Sequence, residues 1–242
     1  MLLYYYAQKK EEEKMNQTVN KKIGNEEVAV MLLERMKREI EKTKERIVFR
    51  PVDRKVFGGR LNDIVSVDAG NGFSFILAVC FEDCYMYINK ELACSLDLDE
   101  EEIYEFSMVN TPRINPATFQ DMATLMLKKT ADDNKSPLLD EMKEVDKDSG
   151  LFVLTNKSNR NGAACLYYPG VQKRIAELLD SDYYVIPCSK HELIITSCDT
   201  DMTPEYIKHM VYEINRSEVE DSDVLSDTVL KYDRELKALV KV

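Results

Sequence analysis

Hydrophobic positions along this chain switch between helical spacing and short continuous runs, and the switches divide it into regions. Residues 8–24 are polar, with the run KKEEEK at 9–14 and no face that reads as buried. Residues 1–24 are therefore expected to be a mobile polar segment outside the core. From Asn25 the pattern becomes helical: Val28, Met31, Leu32, Met36 and Ile40 recur on one face, and Glu26 and Glu27 suit a first turn. The spacing predicts an amphipathic helix ending near Lys44.

Short β-type runs follow at 47–51, 64–67, 73–81 and 84–88, separated by Gly58-Gly59, by Gly70-Asn71-Gly72 and by Glu82-Asp83. The last three read as an antiparallel meander. Acidic residues 99–102 then open a helix that carries Ile103, Phe106 and Val109 toward the core. Thr111-Pro112 is expected to end it, because the residue before a proline resists the α conformation. Residues 116–129 read as a further helix, and the charged stretch 130–149 as a linker or loop.

In the final third, runs at 151–154 and 163–167 look like paired strands joined by a turn-rich loop over 156–162. Pro169-Gly170 leads into a helix through Val171, Ile175 and Leu179, and strands are expected at 183–186 and 192–196. Thr203 and Pro204 are the cap and first residue of another helix, with Ile207, Met210, Val211 and Ile214 facing inward. Residues 224–232 read as a closing strand. The expected fold class is α+β, mostly antiparallel sheet with packed helices. It comprises an N-terminal helix and β-meander over 25–129 and a ββαββαβ region over 150–235, packing as one unit across the 130–149 linker.

Composition changes this picture little: 44% hydrophobic and 32% charged residues make a globular balance. No apolar stretch approaches the roughly 20 residues needed to cross a bilayer, so no membrane partner is expected. The apolar start at 1–7 lacks a basic leader and meets Lys9 and Lys10 too soon to be a signal-peptide core. Six cysteines form no CxxC pair and sit mostly in apolar runs, which fits reduced core thiols and a cytoplasmic location. The net charge of −11 is concentrated in the middle and the tail. A protein partner is therefore expected ahead of nucleic acid, whose phosphates call for a basic footprint.

One resemblance emerges from particular blocks: LFVLTNK at 151–157, NGAACLYYPGV at 161–171, SDYYVIP at 181–187, SKHE at 189–192, VLSD at 224–227 and YDRE at 232–235. With NTPR at 110–113, these resemble an uncharacterised bacterial domain-of-unknown-function family over about residues 26–235. The resemblance implies no activity, cofactor or site residue. The N-terminal segment departs from the family's pattern in being shorter and more charged.

Few residues carry chemistry. Ser189 and His191 are the catalytic candidates of a hydrolase-like site, whose acid must come from elsewhere because Glu192 would point to the opposite face of a strand. Cys165 or Cys188 with His191 is a further nucleophile pairing. The two histidines, His191 and His209, show no metal-ligand spacing, the acids at 97–102 lack the calcium-loop pattern, and no phosphate-cradling glycine loop is present. No cofactor or metal is therefore expected. The 156–162 loop offers binding candidates in Asn156, Lys157, Asn159, Arg160 and Asn161. The function best supported is a non-enzymatic cytoplasmic interaction or regulatory module of bacterial origin. The alternatives are the hydrolase-like enzyme and an acidic mimic of nucleic acid.

Overall fold

The computed structural model describes residues 25–81, 84–123, 125 and 150–242, with the side chains of 25–29 outside that description. The polar segment 1–24 and the linker at 130–149 thus lie outside the described residues. The chain divides into two units, residues 1–43 and residues 44–242.

In the first unit the described element is helix α1 (Asn25–Lys44), which runs on to the first residue of the second. The helix is where the spacing predicted it. Among the described side chains its apolar face is not buried: Met31, Leu32 and Met36 are exposed, as are Val30 and Leu33, and Ile40 is half-buried.

The second unit is built from two antiparallel sheets. The first has β3 (Phe73–Cys80) at its centre, with β1 (Ile47–Asp53) along one edge. On the other edge β2 (Ser66–Gly70) and β4 (Tyr85–Tyr87) pair with successive parts of β3. Both β2–β3 and β3–β4 are antiparallel, as a meander requires, but β2 and β4 share one edge of β3 rather than lying in line. The sequence of β3, FSFILAVC, is buried on both faces except at its last residue, which is what an uninterrupted apolar run in a central strand requires.

Between β1 and β2 the chain makes one helical turn, α2 (Arg54–Phe57), and a 3₁₀ segment, Gly58–Asp63. Asp53 caps α2 by accepting from the Lys55 amide. Helix α3 (Lys90–Leu96) is capped by Asn89, and α4 (Glu100–Ile114) opens with a capping box between Asp99 and Glu102.

Pro112 does not end α4; the helix continues to Ile114. Proline lies in the last turn, and the neighbouring Thr111 hydroxyl donates to Ser107 O. The buried face of α4 also differs from the apolar reading. Val109 is 68% exposed, and the buried positions are Ile103, Ser107, Asn110 and Thr111. The reason is backbone satisfaction: Thr111 Oγ1 accepts from the Phe49 amide of β1, and Asn110 Nδ2 donates to Lys44 O.

The second sheet runs β10-β9-β7-β8-β6-β5. Its strands are β5 (Ala117–Asp121), β6 (Phe152–Asn156), β7 (Tyr183–Ile186), β8 (Leu193–Ser197), β9 (Leu230–Asp233) and β10 (Ala238–Lys241). Residues 117–121 are a strand where the pattern suggested a helix. The short run is buried nearly throughout and contains β-favouring Thr118 and Phe119, and pairing with β6 decides its state.

The expected second strand, 163–167, is instead a 3₁₀ segment, Gly162–Tyr167. Its first amides, from Gly162 and Ala163, donate to the carbonyls of His191 and Lys190, so the segment folds against the 189–192 bend rather than along β6. Helices α5 (Val171–Leu179) and α6 (Pro204–Ser217) follow the predicted starts and faces, and α6 has its predicted cap, with Thr203 accepting from the Tyr206 amide. The end of the chain is a hairpin, β9–β10, rather than a single strand over 224–232. The C-terminal order is thus β6, 3₁₀, α5, β7, β8, α6, β9, β10 in place of ββαββαβ, and the class remains α+β.

The 3₁₀ segment joins the two sheets. Tyr168 meets Phe49 edge-on with ring centroids 6.1 Å apart, and Tyr167 meets Phe75 at 4.9 Å. A buried polar link lies elsewhere in the same unit: Ser226 donates to Asp53 Oδ2, and Asn215 of α6 donates to Ser226 O.

Candidate functional site

The block SKHE does not belong to a strand. β8 begins at Leu193, Ser189 makes an isolated bridge to Val224, and residues 190 and 191 form a bend between them. Face alternation therefore does not apply to Ser189 and His191. The bend is held to residues 223–224 by this bridge and by Lys190 N donating to Asp223 O. This packing supplies the carboxylate that sequence spacing left unassigned: Asp223 Oδ2 lies 3.3 Å from His191 Nε2, and Asp223 Oδ1 lies 2.7 Å from Lys190 Nζ.

His191 uses both ring nitrogens. Nδ1 accepts from the Asn161 amide at 3.2 Å, which places the proton of the neutral ring on Nε2, facing Asp223. A general base needs a free lone pair within hydrogen-bond reach of its nucleophile. Here that lone pair is taken by an amide, and the Ser189 hydroxyl accepts from the His191 backbone N–H at 3.0 Å. Asp223 is held below the usual carboxylate range, first by the Lys190 hydrogen bond, with burial opposing and the positive field of Lys190 adding to it. The thiols are no better placed. Burial pushes Cys165 and Cys188 up to about 12, which keeps them protonated at neutral pH, the reverse of an activated nucleophile.

The 156–162 loop separates its five candidates into two roles. Asn156 is buried and holds the loop from inside: its Oδ1 accepts from Ser158 N, Ser158 Oγ and Arg160 N, and its Nδ2 donates to Arg160 O. Asn159 and Asn161 take left-handed backbone conformations, each with φ of 53°, which asparagine tolerates better than most residues. Asn161 is half-buried and turned inward, its amide on His191 and its side-chain oxygen on Arg50. Lys157, Asn159 and Arg160 are exposed at the tip. The loop thus presents three side chains on a frame made by the other two.

Arg50, on β1, is a participant that sequence reading passed over. Its Nη2 donates to Asn161 Oδ1 at 2.7 Å and its Nη1 to the Tyr87 hydroxyl at 3.2 Å, and its guanidinium carbon lies 4.9 Å from the centre of the Tyr85 ring. No local signal marked it, since it is one of many cations in a mixed-charge stretch and its partners come from β4 and the distant loop.

An open cleft of about 320 Å3 lies elsewhere, between residues 62–65 and the start of α3, and none of these candidates lines it. Among the described residues no group of three or more His, Cys, Asp or Glu is arranged to hold a metal ion. No described helix is long and apolar enough to cross a membrane.

Comparison with known proteins gives a family and no activity. No curated protein and no solved structure matches the chain. The family model spans residues 1–234, so the N-terminal segment, set apart above as a departure, falls inside the match. With nearly the whole length covered, the chain belongs to a family of unknown function, DUF5688.

Proposed function

We propose that this chain is a non-enzymatic interaction module, bacterial and cytoplasmic, that meets a protein partner through the tip of the 156–162 loop. The observation that carries the reading is the division of labour within the loop. Asn156 fixes its shape through four hydrogen bonds, while the residues Lys157, Asn159 and Arg160 are exposed. A loop held in one shape loses little conformational entropy on binding, and recognition residues concentrate on loops carried by a rigid scaffold. Two cations at the tip of a chain with net charge −11 suit an acidic patch on the partner, and such complementarity raises the association rate.

The test is native mass spectrometry of the tagged protein purified gently from its own cells, beside a Lys157→Ala, Asn159→Ala, Arg160→Ala triple variant. A partner retained by the natural chain and lost by the equally stable variant supports the reading. Equal retention by both removes the loop as the binding site.

One observation favours the hydrolase-like alternative: Asp223 stands beside His191, as an orienting acid would. That chemistry would require Nδ1 to exchange the Asn161 amide for the Ser189 hydroxyl. An activity abolished by both Ser189→Ala and His191→Ala would establish it, and an esterase screen flat for the natural chain would count against it.

A further inference from the structure

We infer that Arg50 is the centre of an oxyanion-binding site, built to take a carboxylate or phosphoryl group. The inference stands on the surroundings of Arg50 and does not depend on the role of the loop tip. Arg54, Arg174, Arg216 and Arg234 each face a carboxylate, at 2.9, 3.5, 3.3 and 3.3 Å, and Arg38, Arg60 and Arg113, which donate to uncharged oxygens, are exposed to water. Half-buried Arg50 faces none among the described residues, and its two hydrogen-bond acceptors, Asn161 Oδ1 and the Tyr87 hydroxyl, are neutral. A guanidinium keeps its charge in a protein, and holding such a charge partly out of water without a counter-ion is unfavourable.

Among the described residues, the neighbouring groups that could become anions do not supply that counter-charge. Burial raises the Tyr85 phenol and also the Cys80 thiol, so both stay neutral at physiological pH. The guanidinium is nevertheless held in a defined orientation. The Tyr85 and Tyr87 rings lie 4.9 and 6.0 Å from its carbon, and its Nε is enclosed with no acceptor. Of its five N–H groups, two are used by Asn161 and Tyr87 and one is the enclosed Nε–H. Among the described residues one N–H on each terminal nitrogen has no acceptor, so the guanidinium keeps two donors for the oxygens of an anion.

The site is tested by titrating the full chain with inorganic phosphate and, separately, with acetate, each against chloride at matched ionic strength. The readouts are the NMR signals of the Arg50 Nε–H and of the Asn161 side-chain amide. The natural chain should show a saturable shift of both. Followed at Asn161, Arg50→Met should weaken the response at least about tenfold, and Arg50→Lys, which keeps the charge and loses the planar fork, should fall between them. Should the methionine variant fail to fold, the lysine variant carries the comparison. Saturation by phosphate alone assigns a phosphoryl ligand, and saturation by acetate as well assigns a general carboxylate or phosphate site. Signals in the natural chain that move no more than in chloride, or an Arg50→Met response equal to the natural one, would overturn the site.

Discussion

Gly162 sits against Thr155 so closely that a side-chain carbon at residue 162 would overlap Thr155 Oγ1 and lie 2.8 Å from Thr155 Cα. It would also overlap the His191 carbonyl oxygen, which accepts from both Gly162 N and Thr155 Oγ1. The reason for glycine here is close approach of three backbones, since its φ is not in the left-handed region. The contact joins β6, the start of the 3₁₀ segment and the His191 bend.

Gly162→Ala should therefore destabilise the fold by about 1–3 kcal/mol, the usual cost of overpacking a site whose neighbours are backbone. Urea denaturation followed by circular dichroism measures it. An unchanged midpoint would show that the 162 and 191 segments part without cost.

Asn156→Ala should cost a similar amount, about 1–3 kcal/mol, because it removes the group that satisfies the Ser158 and Arg160 amides inside the loop. The Lys157, Asn159 and Arg160 triple variant should stay within about 0.5 kcal/mol per site, as exposed substitutions do. Thermal denaturation of the two proteins side by side decides it. A triple variant as unstable as Asn156→Ala would mean that the tip residues also hold the loop together.

Acid should weaken the fold through two aspartates. Asp223 is lowered by its hydrogen bond to Lys190, and Asp182 by its hydrogen bond to Lys231. In both, the folded carboxyl holds its proton less tightly than the unfolded one, so each contributes stability above the ordinary carboxylate range. That contribution is lost as pH falls through that range toward the lower folded values. Unfolding free energy measured from pH 7 down to about 3 should fall, and fall less steeply in an Asp182→Asn, Asp223→Asn double variant. Parallel curves for the two proteins would contradict it.

Elements with strong local signals were legible from the sequence. Thr203 and Pro204 start α6 where the cap and the fixed proline angle place it, and α5 begins after Gly170, whose φ is 80°. The strand at Tyr183–Ile186 coincides with its apolar run. Short apolar runs were not decided locally. Residues 117–121 become a strand through pairing with β6, and 162–167 a 3₁₀ turn because their amides reach the 190–191 carbonyls. Val109 lies outside because the inner face of α4 carries the polar groups that β1 and Lys44 require.

The same distinction separates the candidate residues from the sites they form. Sequence by itself determined the α+β class, the family, the acidic charge and the polar loop at 156–162, since each depends on residue type or on periodicity over a few neighbours. Tertiary structure alone decided that Asn156 is the frame of that loop and that Asp223 stands beside His191. It also decided that Arg50 meets Asn161 across 111 residues of chain. Such pairings arise where sheets and bends pack together, and nothing in the local pattern of either partner specifies the other.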